Sequence, residues 1–164
     1  DCALEALAHI SGVAGRMETA GECANGAPVF VDFAHTPDGL EKLLRGLRPH
    51  THGKIILVFG CGGDRDPDKR QKMGAIAAKL ADTIIVTDDN PRTEDPAYIR
   101  ASVLKGCPDA YESDDRAKAI ELGLGLLAKN DCLVIAGKGH ETGQIIGTKT
   151  IPFSDVAVVR ELLS

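Results

Sequence analysis

The stretch Thr83-Ile84-Ile85-Val86-Thr87-Asp88-Asp89-Asn90-Pro91-Arg92 passes without a spacer from an apolar run to a polar, turn-forming string. The same passage recurs at 132–136, followed by Gly137-Lys138-Gly139-His140-Glu141, and at 54–59, followed by Gly60-Cys61-Gly62-Gly63-Asp64-Arg65-Asp66. A fourth run, 29–33, leads into Asp32-Phe33-Ala34-His35-Thr36-Pro37. Near-continuous apolar runs of this length are how strands covered on both faces read. The covering is legible between them. Leu40, Leu43, Leu44 and Leu47 stand at i, i+3, i+4 and i+7, and Met73, Ile76, Ala77 and Leu80 repeat that spacing, so each segment presents one apolar stripe. Thr36-Pro37, Asp66-Pro67 and Asp95-Pro96 pair a capping side chain with a proline that sacrifices no helical hydrogen bond.

Further on, a short strand is predicted near 110–112, then a helix over 114–129 with Ala117, Ile120, Leu124 and Leu127 inward. Residues 144–151, with Gly147 at the centre, predict a C-terminal hairpin, and Ser154 caps a last helix ending at Leu163. Strands alternating with helices imply right-handed crossovers. The expected class is α/β, a Rossmann-like, doubly wound, mostly parallel sheet with helices on both faces. Such sheets bind ligands outside the carboxyl ends of their strands, where the four polar segments lie. Arg65, Asp89, Arg92 and Glu141 are then neighbours on one edge, a set of fixed charges suited to a small zwitterion.

Composition narrows the partners. Lys plus Arg is 19 and Asp plus Glu is 24 in 164 residues, a formal charge of −5, which argues against a polyanion-binding surface. With 4% aromatic residues and no Trp, a base-stacking platform is also disfavoured. Cys2, Cys23, Cys61, Cys107 and Cys132 are widely spaced, form no zinc-type cluster, and read as small buried hydrophobes in a reducing compartment. No apolar stretch approaches the ~18 residues that span a bilayer, so a cytoplasmic protein without membrane contact is expected. The chain begins with Asp, and Leu4, Leu7 and Ala8 look like the end of a helix whose beginning is missing, which suggests a fragment or processed product. The one linker candidate is 11–15.

Each segment has a plainer reading beside the functional one. Gly60-Cys61-Gly62-Gly63 is either a phosphate-cradling turn or a tight strand-to-helix turn capped by Asp66. It is not G-x-G-x-x-G, and Asp64 and Asp66 would repel a pyrophosphate. Asp89 to Arg92 also fits an ordinary turn. His140 reads as an acid or base, or as a hydrogen-bonded structural residue. Asp32 is suited to ribose hydroxyls or to the helix start, and His35 to packing on a base. Lys54 and Lys138 follow Gly but precede no Ser or Thr, so the chain carries no P-loop.

Taken in order and spacing, Gly15-Arg16-Met17-Glu18, Asp32 to Pro37, Gly60 to Arg65, Asp89 to Arg92 and Gly137 to Glu141 resemble the C-terminal domain of the Mur ligases, the bacterial cell-wall enzymes, over residues 13–163. The resemblance implies a three-domain enzyme: a domain for the UDP-sugar, a central ATPase domain with the P-loop, and this one, which brings in an amino acid. ATP phosphorylates a substrate carboxylate, and the amine attacks the acyl phosphate to form an amide in peptidoglycan precursor synthesis. On this reading residues 13–164 are the amino-acid-binding domain and 1–12 a remnant of a preceding domain or linker. Asp-Asn-Pro-Arg marks the members that add meso-2,6-diaminopimelate to UDP-MurNAc-L-Ala-D-Glu, as opposed to lysine-adding relatives. The implied contacts to the diamino acid are Arg65, Asp89, Asn90, Pro91, Arg92, Gly137 and Glu141. Two guanidiniums suit two carboxylates, and Glu141 with Asp89 nearby suits an ammonium. Arg16, Asp32 and His35 would lie toward the nucleotide. Phe33 departs from the family, where Tyr is common. The resemblance places ATP, Mg2+ and the UDP-linked substrate mainly on the other domains, so the chain is expected to hold no metal site or catalytic residue, and to be a monomer. Two alternatives stay open: a relative of the same fold adding lysine or another amino acid, and a stand-alone Rossmann-like nucleotide-binding module.

Overall fold

The computed structural model describes residues 13–164; the readings of 1–12 as a remnant, of Leu4, Leu7 and Ala8 as a helix end, and of Cys2 lie outside the described residues. In chain order the elements are β1 (Glu18–Glu22), β2 (Pro28–Asp32), α1 (Pro37–Leu47), β3 (Ile55–Phe59), α2 (Asp68–Leu80), β4 (Thr83–Thr87), α3 (Pro96–Leu104), β5 (Tyr111–Ser113), α4 (Arg116–Gly125), β6 (Cys132–Ala136), β7 (Gly143–Ile146), β8 (Lys149–Pro152) and α5 (Asp155–Leu162). The main sheet has the order β1-β2-β6-β3-β4-β5, and β7 and β8 form a separate antiparallel hairpin. All main-sheet pairings are parallel except β1 with β2. The register sets Asp32 and Phe59 on either side of Ala136, and Phe59 beside Val86. The segments after β2, β3, β4 and β6 therefore leave the sheet on one edge, as expected.

Strand alternation splits the apolar runs between two cores. Ile55, Leu57 and Phe59 of β3 pack with Leu40, Leu44, Met73 and Val103 of α1, α2 and α3. Ile56 and Val58 pack on the other face with Ile120 of α4 and Val159 of α5.

Three local expectations change. β1 was not anticipated: Glu-Thr-Ala-Gly-Glu carries little apolar signal, and as an edge strand it buries only Ala20 fully. α2 starts at Asp68 rather than directly after Asp66, although the Asp66 carboxylate still accepts from Asp68 N at 2.9 Å. Its fully buried positions are Met73 and Ala77 as expected, but Arg70 and Gly74 rather than Ile76 and Leu80. A Cβ on Gly74 would strike the Val103 carbonyl, so the glycine permits the close approach of α3. α4 ends at Gly125, not near 129, and Leu124 and Leu127 are half-buried. Its deeply buried positions include Arg116, whose guanidinium pairs with Asp155 at 2.7 Å and also donates to Ala136 O.

Candidate functional site

The turn after β4 is held from three sides. Asp88 points to α3 and pairs with Arg100 at 2.6 Å, which also holds Glu112. Burial raises the Asp88 pKa above the ordinary aspartate value despite that partner. Asp89 is buried, its carbonyl accepts from Gln144 Nε2 at 2.7 Å, and its carboxylate faces Gly137, where a Cβ would stand 2.7 Å from Oδ2. Asn90 is almost fully committed: Oδ1 accepts from Ile145 N at 2.9 Å and Lys138 Nζ at 3.0 Å, while Nδ2 donates to Glu141 Oε2 at 2.9 Å. Arg92 has φ +53°, a left-handed conformation uncommon for a side chain of this size. The hairpin braces it there, with Arg92 N donating to Ile145 O and Gly147 N to Arg92 O.

The loop after β3 is clamped to this turn. Gly63 N donates to Asn90 O at 2.9 Å, and Arg92 Nη1 donates to Gly63 O at 2.8 Å. Asp64 accepts from Thr93 N and Oγ1, and hydrogen bonds from Thr93 hold its carboxyl below the ordinary value. Glu94 accepts from the buried Arg70 at 2.8 Å. After β6, Gly137 (φ +117°) and Gly139 (φ +54°) adopt conformations that favour glycine and flank the fully buried Lys138. Burial works to raise the Glu141 pKa, but hydrogen bonds from Asn90 and Lys138, with the charges of Lys138 and Arg92, outweigh it and hold the carboxyl below the ordinary glutamate value.

These segments enclose a cavity of about 510 Å³. Arg65, Asp89, Asn90, Arg92, Gly137 and Glu141 all line it, with His35 from the loop after β2 and Lys69 and Lys72 from α2. Two guanidiniums, two ammonium groups and three carboxylates, the third being Asp66, thus share one space. Pro91 does not line it; its carbonyl accepts from Glu94 N and lies against Gly63, a turn-forming role. Arg16 and Asp32 also stand outside it. The Arg16 guanidinium lies 5.0 Å from the centre of the Phe33 ring, which also contacts His35 (4.6 Å) and His140 (5.4 Å). Asp32 Oδ1 accepts from Ala34 N at 2.8 Å and Oδ2 from Met17 N at 2.9 Å, so the local structural reading accounts for both of its oxygens. Thr36 caps α1. Cys61, on the cavity wall, has its thiol pushed up to about 12 by burial and is not a nucleophile at neutral pH.

Sequence reasoning missed Lys138 and Arg116. The first had a faint signal, its place between two glycines at a strand end; the second had none, because a buried arginine in a helical stripe reads as an exposed position.

Residues 15–139 match the family described as "Mur ligase, glutamate ligase domain". The chain is 55% identical over 160 residues to the UDP-N-acetylmuramoyl-L-alanyl-D-glutamate–2,6-diaminopimelate ligase of Caulobacter vibrioides, covering 98% of this chain and 33% of that protein. The enzyme of the same name from Agrobacterium fabrum is 53% identical over 162 residues, with 99% and 33% covered. The chain therefore spans about a third of the length of the curated relatives it matches. A solved structure of a UDP-N-acetylmuramoyl-L-alanyl-D-glutamate–2,6-diaminopimelate ligase superposes with a TM-score of 0.85 at 40% identity, over 94% of this chain and 32% of that one. UDP-N-acetylmuramate–alanine ligase of Thermotoga maritima shares the fold alone, at TM-score 0.61 and 20% identity over 97% of this chain and 31% of that one.

Proposed function

The chain belongs to the Mur ligase family, and from that premise we propose that residues 13–164 are the domain that recognises the incoming amino acid, meso-2,6-diaminopimelate, in an ATP-dependent ligase acting on UDP-MurNAc-L-Ala-D-Glu in the cytoplasm. The observation that carries this reading is the cavity that Arg65, Arg92, Asp89 and Glu141 line together. Diaminopimelate has two carboxylates and two amines; the two guanidiniums suit its carboxylates and Glu141, with Asp89 nearby, suits an ammonium, while Asp66, Lys69 and Lys72 add further charge to the same lining. Lysine lacks the second carboxylate and would leave one guanidinium without its ligand. Among the described residues, no helix is long and apolar enough to cross a membrane.

In the reaction so assigned, the carboxylate to be extended is activated as an acyl phosphate, and one amine of the diamino acid attacks it. The residues here bind the ends of that molecule and so aim the reacting amine. Arg92, with Nη1 fixed by the Gly63 and Asn90 carbonyls, presents the rest of its guanidinium in a set orientation. Among the described residues no group of three or more His, Cys, Asp or Glu is placed to hold a metal ion. Arg16 and His35, gathered around Phe33, form a cationic and aromatic surface that fits a nucleotide edge; Asp32 fits less well, because backbone amides engage both of its oxygens.

The test is product formation by the full-length ligase with meso-diaminopimelate or L-lysine, at matched ATP and UDP-sugar dipeptide. A clear preference for diaminopimelate is expected. Preference for lysine would overturn the substrate assignment, and tight ATP binding by the 164-residue chain alone would favour a nucleotide-binding module instead.

A further inference from the structure

We propose that Lys138 is a positioning residue for amino-acid recognition, its buried ammonium fixing the orientation of the Asn90 carboxamide and the Glu141 carboxylate on the cavity wall. This rests on the reading of the cavity as an amino-acid site.

Lys138 does not line the cavity and has no exposed surface, yet its Nζ lies 3.0 Å from Asn90 Oδ1 and 3.0 Å from Glu141 Oε2. An ammonium only donates, so Asn90 must turn its oxygen toward Lys138. The amide nitrogen of Asn90 is thereby aimed at Glu141, and it donates to the same Oε2 at 2.9 Å. Ile145 N adds a second donor to Asn90 Oδ1 and ties the arrangement to β7. Glu141 Oε2 thus receives two donors, while among the described residues no donor engages Oε1, which is left available to a ligand. The order of the three side chains follows from the donor inventory of one of them. A lysine kept wholly out of water is costly unless paired, and an unbranched apolar side chain would fill the same space more cheaply. The charge is therefore retained for what it does to its partners.

The charged surroundings of Glu141 give the second handle. Lys138 comes from its own loop, Arg92 from the turn after β4, and Arg116, itself paired with Asp155, from α4 beneath the site; Asp89 is the like charge on the cavity wall. Removing Lys138 takes away the cation in direct contact with Glu141, so Glu141 must take up its proton at higher pH.

The experiment uses the full-length ligase containing this chain, as wild type, Lys138→Met, Lys138→Gln, Glu141→Gln and the Lys138→Met/Glu141→Gln double variant. In Lys138→Met, KM for meso-diaminopimelate is expected to rise roughly 10-fold to 100-fold, the usual consequence of leaving charge-assisted acceptors without their donor, while KM for ATP stays within about twofold. The acid limb of kcat/KM for the diamino acid should move to higher pH. The Glu141 carboxyl 13C resonance, assigned by its loss in Glu141→Gln, should titrate at higher pH without any substrate. In the double variant the two effects on KM should not add. If Lys138→Met fails to fold, Lys138→Gln keeps a similar size and two N–H donors but loses the charge, and should still raise KM and the Glu141 titration. An unmoved KM and Glu141 titration in whichever variant folds overturns the proposal. A raised Glu141 titration in an enzyme whose wild type ignores diaminopimelate overturns the amino-acid reading instead, so the two failures are distinguishable.

Discussion

Arg92 concentrates the specificity question in one side chain. Its backbone sits at φ +53°, and its guanidinium is tethered through Nη1 to the carbonyls of Gly63 and Asn90. Strain in a left-handed residue persists only where neighbours over-determine it, here through hydrogen bonds to Ile145 and Gly147. In the full-length ligase, Arg92→Ala is expected to lower kcat/KM for meso-diaminopimelate by roughly 30-fold to several thousand-fold, the cost of removing one partner of a desolvated charge pair. Residual lysine incorporation should change little. An equal loss on both substrates would make Arg92 a turn residue and remove the main physical support for the assignment. Arg65, exposed and with Nη1 bonded to its neighbour's carbonyl, is the control whose loss should be less selective. The sequence showed which residue types gather here, because each follows a strand. It did not show that Asn90 is spent on holding its neighbours, since Lys138 and Glu141 lie 48 and 51 residues away.

Between elements, the structure relies on ion pairs that no periodicity reports. Arg116 of α4 and Asp155 of α5 form a pair with neither side chain exposed, and Arg116 also reaches the carbonyls of Ala136 and Asp88 at the ends of β6 and beyond β4. Asp155→Ala leaves a buried guanidinium uncompensated and is expected to destabilise by about 3–5 kcal/mol, whereas Arg116→Met with Asp155→Leu should come closer to neutral. Urea unfolding of the three proteins decides it, and equal losses in both variants would sink the argument. At the opposite edge, Asp82 joins the start of β4 to Ile55 N and Arg48. Burial works to raise its pKa, but those partners outweigh it and hold it below the ordinary value of 3.8. A depressed folded-state value stabilises fully above the unfolded one and is lost as pH falls through the folded one. Wild type should therefore lose stability more steeply below the ordinary aspartate value than Asp82→Asn, as measured by thermal melts across that range. Parallel slopes would refute the coupling.

For the whole molecule, helices cover both faces of the sheet and the two cores share its central strands, so the 164-residue chain should unfold as one unit. Calorimetric and van't Hoff enthalpies are expected to agree; a calorimetric value well above the other would show independent parts. The same chain, which spans about a third of its relatives' length and carries no P-loop, should hydrolyse no ATP and form no amide. Turnover that scales with its concentration would contradict this. The sequence by itself determined the α/β class, the parallel sheet and the row of polar turns, because periodicity of apolar residues and strand–helix alternation are local properties read within a dozen residues. Only the tertiary structure decided that β1 joins the sheet, that Arg70, Arg116 and Lys138 are buried, and that Pro91 and Asp32 stand off the cavity with backbone amides on their oxygens. A charged residue is buried only if a partner from elsewhere meets it, and partners tens of residues apart leave no repeating mark in the chain.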